Sequence, residues 1–286
     1  MSAPKVAIVV PLSNNPRLTE SELLSLTHLD HFLGRYPRFF LAPPRTRLVR
    51  DGFEMKHFPS RYFGSVKAHN RLLLSERFYR SFGDYEFILI HHLDALVFSD
   101  SLAYWCGRNF DLLAPPWIPG PDFPWLKEAG VGNGGFSLRR IEGFLKVLRS
   151  KRLWREVKGP NENPDASHSG LRGAARALKR LPLQWYRLNG VKQEIRRFVD
   201  RGGNEDRFWW KRGQGYYPEF RIAPVETALE FAFEAYPREC LELNHGRLPF
   251  GCHAWERYDK AFWEPHLLPT KQDPASGDSR TPVRGF

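Results

Sequence analysis

The chain is short of cysteine, and the few cysteines it has are poorly placed for cross-linking. Its 286 residues include three, at positions 106, 240 and 252. None forms the C-x-x-C spacing of zinc or redox sites, and an odd number argues against a disulfide scaffold. We therefore expect a reducing compartment. The fold needs no covalent staple, because a chain of this length buries roughly three quarters of its unfolded surface.

Long apolar runs are also missing. No stretch of about 18 apolar residues occurs, which excludes a membrane-spanning helix. The apolar run at residues 6–10 is too short for a signal peptide and stops at Pro11. Since 42% of the residues are hydrophobic and 26% are charged, the composition is that of an ordinary globular protein. We expect the protein to be cytoplasmic.

Acidic residues are outnumbered, and the imbalance is local. The net charge is +11, yet residues 149–201 alone carry 14 Lys or Arg against 5 Asp or Glu. Such a surplus favours a polyanionic partner: nucleic acid, an acidic lipid surface or an anionic acceptor. A solvated helical face is the plainer alternative. The nucleic-acid interpretation lacks support from any helix-turn-helix, RNP or zinc pattern, and the basic residues do not alternate with aromatic ones.

Strand and helix patterns alternate over residues 5–140. Residues 5–10 are apolar and rich in β-branched side chains, as in a buried parallel strand. A capping-box pattern at Thr19 and Glu22 predicts the start of a helix that ends at Gly34. Further strands are predicted at residues 39–42, 55–58, 86–90 and 110–114, and one helix over residues 65–83. This alternation predicts an α/β fold.

The organisation after residue 140 is less regular. Residues 171–181 and 191–199 are basic with a helical period, so we expect a basic helical insertion within residues 149–201. The segment 269–286 is rich in Pro, Ser, Thr and Gly and is predicted to be a disordered tail. The expected organisation is a single domain over residues 1–268.

A carboxylate follows the clearest strand. Asp94 stands just after the apolar residues 86–90, and ligands of open α/β sheets bind at the carboxyl ends of strands. A carboxylate at that place can hold a divalent cation that also binds a diphosphate; the alternative is a turn-forming Asp. Of the two adjacent histidines, His92 faces the site and His91 the core, or the reverse.

Three further motifs contain residues that could bind a ligand or a metal ion or transfer a proton. Residues 130–138 are glycine-rich and lead into a strand, which favours close backbone approach to a ligand near Asn133, or else a bulged turn. Glu205 and Asp206 are adjacent carboxylates at a predicted helix start, suited to acid–base work or to the helix dipole. His253 lies between a tight turn and the indole of Trp255. It could be a metal ligand, and the alternative is a histidine that only packs in a turn.

In this order the motifs resemble GT-A-type glycosyltransferases, in particular a bacterial and fungal family of GT-A-like domains. The layout is also similar to that of the inverting β-1,4-galactosyltransferases. The matching segments span residues 5–265 and are Val10-Pro11, His92-Leu93-Asp94-Ala95, Ala114-Pro115-Pro116-Trp117, residues 131–139, Glu205-Asp206 and residues 249–255.

This resemblance implies a GT-A-like, Rossmann-type fold whose mixed, mostly parallel sheet is flanked by helices. It implies an inverting transferase that moves a sugar from a nucleoside diphosphate to a glycan or glycolipid hydroxyl, as in polysaccharide biosynthesis. Asp206 would be the general base and Glu205 would hold the acceptor. The donor would bind at Pro11, Arg45, Asn70, Asp94, Asn133, Gly134 and Gly135.

The same resemblance implies Mn²⁺ or Mg²⁺ bound by Asp94 and His253. His92 replaces the first Asp of the D-x-D motif, and this departure from the family pattern leaves one carboxylate and one histidine as the implied ligands. The implied partners are the sugar donor, the acceptor and the anionic face of the inner membrane, with no nucleic acid. The alternatives are a polyanion-binding protein that uses residues 149–201 and a non-catalytic sugar-binding relative.

Overall fold

The computed structural model describes residues 5–12, 17–152 and 190–269. The strands are β1 Val6–Pro11, β2 Arg38–Ala42, β3 Phe53–His57, β4 Phe87–His91, β5 Leu96–Val97, β6 Leu112–Leu113, β7 Pro116–Trp117, β8 Gly130–Val131, β9 Phe136–Arg140, β10 Ala232–Phe233 and β11 Gly251–Cys252. The helices are α1 Glu20–Leu33, α2 Val66–Leu73, α3 Glu76–Arg80, α4 Leu102–Gly107, α5 Ile141–Leu148, α6 Gly190–Asp200, α7 Glu205–Tyr216, α8 Val225–Phe231, α9 Pro237–Leu243 and α10 Lys260–Trp263, with 3₁₀ turns at Ser60–Tyr62 and Glu264–His266.

The central sheet is mixed and mostly parallel. Its six strands run in the order β3-β2-β1-β4-β9-β6. Strands β1 to β4 are mutually parallel, whereas β9 pairs antiparallel with both β4 and β6. The chain leaves β1 toward β2 and later returns to the other side of β1 as β4, which creates a topological switch point between β1 and β4. The predicted α/β class with a mostly parallel sheet is confirmed.

Helices cover both faces of this sheet. Side chains alternate along β1, so that Ala7 and Val9 pack with α5 and α7, whereas Ile8 packs with α1 and α4. Both sides of β1 are therefore packed against apolar side chains, which explains why β1 reads as a continuous hydrophobic run. The sheet forms a rigid base whose strand ends can position a site.

A second, three-stranded sheet has the order β10-β11-β5. Strand β11 pairs parallel with β10 and antiparallel with β5, with Cys252 opposite both Phe233 and Leu96. A separate two-stranded pair joins β7 and β8. The small sheet links the segment after β4 to the C-terminal part of the described chain.

Local signals place most elements correctly, with one clear difference. The capping box at the start of α1 is formed, since Thr19 N donates to Glu22 Oε2 at 2.7 Å and Glu22 N to Thr19 Oγ1 at 3.2 Å. The single helix predicted over residues 65–83 is instead two helices, α2 and α3. Ser75 accepts a hydrogen bond from Phe78 N and caps α3, and this competing interaction of a Ser side chain divides the helical pattern.

Part of the predicted organisation lies outside the described residues. Of the basic insertion, residues 153–189 are not described, and α6 accounts for its end; the tail is described only at residue 269. Within the described ranges, no helix is both long and apolar enough to cross a membrane.

Candidate active site

A cavity of about 990 Å³ opens at the switch point of the central sheet. Pro11, the last residue of β1, and the His92 to Asp94 segment after β4 lie on its wall. The start of α7 and the loop after β11 also line it, through Asp206 and His253. The structure thus brings four chemically active side chains, separated by up to 161 positions, to one crevice.

Three of these side chains form a cluster with metal-ligand spacing. The ligand atoms of His92, Asp94 and His253 all lie within 4.8 Å of one another, and His253 Nε2 is 3.3 Å from Asp94 Oδ1. Of the two adjacent histidines, His92 faces the cavity. His91 is fully buried and packs edge-on against Phe136, with its ring centroid 5.8 Å away. The orientation of these histidines is thereby settled.

The small sheet explains why this cluster forms. Asp94 precedes β5 and His253 follows β11, and these two strands are paired. Backbone bonds tie both ends, because His253 N donates to Phe233 O at 2.9 Å and Trp255 N to Asp94 O at 3.3 Å. The cluster is therefore held by strand pairing rather than by a flexible loop.

Glu234 is a site residue that the sequence analysis missed. It follows β10, is 6% exposed, and its Oε1 accepts from His253 Nδ1 at 3.0 Å and from Asn133 Nδ2. A carboxylate on the outer nitrogen of a ligand histidine fixes its tautomer and orientation. The available signal was a lone glutamate inside the apolar run 231–235, because such a residue is seldom buried without a partner.

The three side chains of the cluster differ in their protonation states. Burial opposes the charged form of His253, but Asp94 and Glu234 outweigh it and raise its pKa to about 10. Partial burial raises the pKa of Asp94, yet His253 and His92 together hold it well below its usual range. Burial, together with His69 and His253, lowers the pKa of His92 well below normal. In the metal-free protein at neutral pH, the cluster thus contains one charged and one neutral imidazole beside an ionised carboxylate.

A third imidazole extends the cluster. His69 Nε2 lies 3.3 Å from His92 Nε2, and the two rings meet edge to face with centroids 5.2 Å apart. Burial is the main reason that the pKa of His69 is lowered. His69 also lines the cavity, so it is a second residue that the sequence motifs did not identify.

Glu205 lines the cavity, and its carboxylate is paired with a buried arginine. Its two oxygens accept from Arg139 Nη1 and Nη2 at 3.0 and 2.7 Å, and Arg139 also donates to Tyr79. Both members of this pair are almost completely buried, with side-chain exposures of 1% and 4%. Asn70, predicted to bind the donor, lines the cavity and accepts from Glu205 N at 3.1 Å, which caps α7.

Asp206 is the carboxylate with acid–base character near neutral pH. Burial, followed by repulsion from Glu205, raises its pKa to about 7. Its Oδ1 accepts from Arg207 N at 2.6 Å. A carboxyl group in this range exchanges its proton at neutral pH, as a general acid or base requires.

The glycine-rich turn at residues 130–138 allows close approach of site side chains. A Cβ on Gly135 would lie 2.0 Å from His253 Nε2, and one on Gly134 would lie 2.1 Å from Glu205 Oε1. Both glycines line the cavity. The sequence predicted that a ligand approaches the backbone closely at this turn. In the structure, the side chains of His253 and Glu205 already occupy the space beside the two glycines.

The predicted donor residues are not all brought together. Pro11, Asn70, Asp94, Asn133, Gly134 and Gly135 line the cavity, whereas Arg45 does not. Arg45 is exposed and adopts a left-handed backbone conformation (φ 75°) in the turn after β2. Its role in donor binding stays a prediction.

The residues of the cluster fit a divalent cation. His253 Nε2 is buried and has no hydrogen-bond partner among the described residues, although it points at the Asp94 carboxylate. Two imidazoles and one carboxylate form a donor set suited to a divalent first-row transition ion. Because His253 would bind as neutral imidazole, a cation would displace its proton.

The sequence profile of the family described as "Protein of unknown function (DUF5672)" matches residues 52–253. No curated protein matches the chain. A search of solved structures finds xyloside xylosyltransferase 1 from mouse in its apo form, with 11% identity and a TM-score of 0.46, covering 86% of this chain and 96% of that one.

Two other glycosyltransferase structures overlap with the chain. Apo GlyE from Streptococcus pneumoniae TIGR4 has 12% identity and a TM-score of 0.45, covering 93% of this chain and 61% of that one. The mannosyltransferase PcManGT from Pyrobaculum calidifontis, bound to GDP-Man and Mn²⁺, has 14% identity and a TM-score of 0.30, covering 50% and 46%. The fold class follows from the strand order itself.

Proposed function

Because this chain belongs to the DUF5672 family, whose description names no activity, we propose a function from its site: a nucleotide-sugar-dependent glycosyltransferase of the inverting type. The observation that supports it is the convergence of the His92, Asp94 and His253 cluster with Asp206 in one cavity at the sheet's switch point. A diphosphate donor needs positive charge at its leaving group, and the acceptor needs a base. The motif resemblance described above supports the same activity.

Asp206 is the base in this proposal. The acceptor hydroxyl oxygen forms a bond to the anomeric carbon, and the bond from that carbon to the donor diphosphate breaks, leaving its electron pair on the phosphate oxygen. The hydroxyl proton passes to a carboxylate oxygen of Asp206. Attack and departure on opposite faces invert the anomeric centre. Glu205 lines the cavity beside Asp206 with its carboxylate paired to Arg139, and its predicted role in holding the acceptor stays a prediction.

The His92, Asp94 and His253 side chains would hold the cation. When bound, such an ion supplies positive charge that stabilises the departing diphosphate. Glu234 keeps His253 oriented through its Nδ1. Pro11, Asn133 and the two glycines Gly134 and Gly135 line the remaining donor side of the cavity.

A nucleotide screen tests the proposal as a whole. The melting temperature of the protein is measured with each nucleoside diphosphate, with and without Mn²⁺, because selective binding to the native state raises it. We expect one nucleotide to raise it, and to do so more strongly with Mn²⁺. No response to any nucleotide, together with a rise caused by oligonucleotides, would instead support the polyanion-binding alternative.

Two variants separate the roles within the site. Asp206→Asn should abolish transfer and leave donor affinity nearly unchanged, because the amide cannot take the proton. Asp94→Ala should weaken the affinity for donor and cation, measured by titration calorimetry. Near-normal turnover in the first variant would remove Asp206 as the base, and unchanged donor affinity in the second would remove Asp94 from the donor site.

A further inference from the structure

The contact between His69 and His92 restricts where their protons can lie. The two Nε2 atoms are 3.3 Å apart, which is within reach of a hydrogen bond. Two N–H groups, or two bare nitrogens, would repel each other at this distance. One Nε2 therefore carries a proton and the other accepts it through its lone pair. Because either ring can be the donor, the contact has two tautomeric forms.

The two forms differ in what His92 can offer to a cation. A neutral imidazole has one N–H and one bare nitrogen, and only a bare nitrogen binds a metal ion. If His69 is the donor, His92 Nε2 is used as the acceptor and its Nδ1 carries the proton, so neither nitrogen of His92 is available. If His92 donates from Nε2, its Nδ1 is bare and available.

His92 contacts the cation cluster as well as His69. Its side chain lines the large cavity and belongs, with Asp94 and His253, to the group whose ligand atoms lie within 4.8 Å of one another. Its ring centroid is 5.5 Å from that of His253. Within the described residues, the one side-chain hydrogen bond of His92 is that of Nε2 with His69, which leaves Nδ1 for the cluster.

His69 itself lies outside the ligand group. The three side chains that meet the 4.8 Å limit among the described residues do not include it, although it lines the cavity. Helix α2 fixes its backbone, because His69 N donates to Ser65 O at 3.0 Å and Ser65 Oγ accepts from Ala68 N at 3.1 Å. His69 therefore acts on a bound cation only through His92.

The second ligand histidine has a partner of the same kind. Nδ1 of His253 bonds to Glu234 Oε1 at 3.0 Å, and an acceptor at the outer nitrogen of a metal-binding histidine fixes its tautomer and its ring orientation. His69 is placed to do this for His92. The family motif has a carboxylate at position 92, and an ionised carboxylate has no tautomers and needs no such partner.

We propose that His69 is a positioning residue of the cation site: it accepts a hydrogen bond from His92 Nε2 and thereby holds His92 in the tautomer whose Nδ1 binds the cation. This rests on the cation site of the proposed function. It adds to that site a residue that the motif resemblance does not contain, and it gives the histidine at position 92 the partner that an aspartate there would not require.

The position of the proton is observable in the chelator-treated protein. Imidazole nitrogen chemical shifts in NMR spectra distinguish an N–H from a bare nitrogen, and the His92 signals are identified by their loss in His92→Gln. At pH 8 we expect the His92 proton on Nε2 in the unchanged protein and on both nitrogens, as a mixture, in His69→Phe. A proton on Nδ1 of His92 in the unchanged protein would overturn the proposal.

Calorimetry with Mn²⁺ alone measures the consequence for binding. His69→Phe retains a ring but no acceptor, so Mn²⁺ affinity should fall at least about tenfold. His69→Gln retains an amide oxygen that can accept from His92 Nε2 and should restore most of the affinity. The matched control is His31→Phe, the same substitution at an exposed position of α1 outside the cavity, which should bind as the unchanged protein does.

Equal affinities in His69→Phe and His31→Phe would overturn the proposal. An equal loss in His69→Phe and His69→Gln would also overturn it, because the loss would then come from packing or from direct ligation rather than from the missing acceptor. Thermal melts of each variant verify that the fold is intact, and His69→Leu takes the place of His69→Phe if the larger ring prevents folding.

The outcomes separate this role from the transferase activity. If Mn²⁺ affinity depends on His69 as expected but no nucleotide binds and no transfer occurs, the proposed activity fails and the role of His69 stands. If transfer occurs with Mn²⁺ while His69→Phe binds the ion as tightly as the control, the activity stands and His69 has no positioning role. Absence of Mn²⁺ binding by the unchanged protein would overturn the cation site and this proposal together.

Discussion

At the scale of single residues, the pKa values of two carboxylates in one cavity are shifted in opposite directions. Burial raises the pKa of Asp206 to about 7, whereas the imidazoles of His253 and His92 hold the pKa of Asp94 below its usual range. Such divergence marks separate tasks for similar groups. Asp94 remains an anion that can bind a cation, and Asp206 can exchange a proton.

The pH dependence of transfer tests the task of Asp206. The base must be ionised, so kcat/KM should rise about tenfold per pH unit below pH 7 and level off above it. The measurement is kcat/KM from pH 5 to 8 at saturating Mn²⁺, with donor affinity followed in parallel as a control. A profile without an inflection between pH 6 and 8 would contradict the assignment.

Glu234 acts through His253 in our interpretation. Glu234→Gln loses the charged acceptor for His253 Nδ1, and changes of this kind typically cost about 10- to 100-fold in metal affinity. Calorimetry with Mn²⁺ alone measures this effect. Glu226→Gln on the exposed part of α8 is the control and should leave Mn²⁺ affinity unchanged. Equal affinities for the two variants would show that Glu234 does not orient the ligand.

At the scale of elements, the small sheet decides the site. Pairing of β5, β10 and β11 brings Asp94, Glu234 and His253 together. The central sheet contributes Pro11 at the end of β1 and the segment after β4 to the cavity wall. The turn between β8 and β9 then has to pass close to the histidine. Its glycines are therefore required by packing at the site.

Gly135→Ala tests that requirement. The added methyl group would lie 2.0 Å from His253 Nε2, so it should displace the imidazole and weaken Mn²⁺ binding at least tenfold while the protein remains folded. Gly107→Ala at the end of α4 is the control, because a Cβ there meets nothing within 4 Å. Mn²⁺ titration and circular dichroism provide the two measurements. Unchanged binding by Gly135→Ala would mean that His253 is not held where the structure has it.

At the scale of the whole molecule, the site makes stability depend on pH. The folded protein holds a proton on Asp206 up to about pH 7 rather than 3.8, and on His253 up to about pH 10 rather than 6.5. At these two groups the folded state binds more protons than the unfolded state, so their contribution to the free energy of unfolding falls as pH rises. Each of the two stabilises at low pH and loses that contribution as pH increases through its folded pKa. Burial lowers the pKa values of His69, His91 and His92, so these three groups act in the opposite direction below about pH 6.5.

Urea unfolding of the chelator-treated protein at pH 7.5, 8.5 and 9.5 checks this expectation, because the histidines with lowered pKa values are neutral in both the folded and the unfolded state over this range. The free energy of unfolding should decrease over the series. The decrease should be smaller in the variant Asp206→Asn with His253→Gln, because neither replacement side chain titrates and the two groups no longer bind protons differently in the folded and unfolded states. An equal slope in the variant would assign the pH dependence to other groups.

The sequence by itself determined the order and kind of most elements. Strand β1, the capping box of α1 and strand β4 depend on residues that are neighbours in the chain, so their patterns are readable locally. The motif resemblance indicated Asp94, Asp206 and His253 as partners in one site. Their presence in one cavity agrees with that expectation, while their roles stay proposals.

Only the tertiary structure decided which side chains meet. The chain alone left His91 and His92 interchangeable, predicted one helix where Ser75 divides two, and gave Glu234 no function. It also grouped Arg45 with the donor site, and Arg45 is not among the residues that line the cavity. The Ser75 cap is a local contact, with Phe78, that the helical period concealed. The orientation of His92 and the burial of Glu234 depend instead on contacts between residues far apart in the chain, set by the pairing of short strands and by burial. No local pattern encodes that pairing, because two-residue strands such as β10 and β11 have too few side chains to specify their partners.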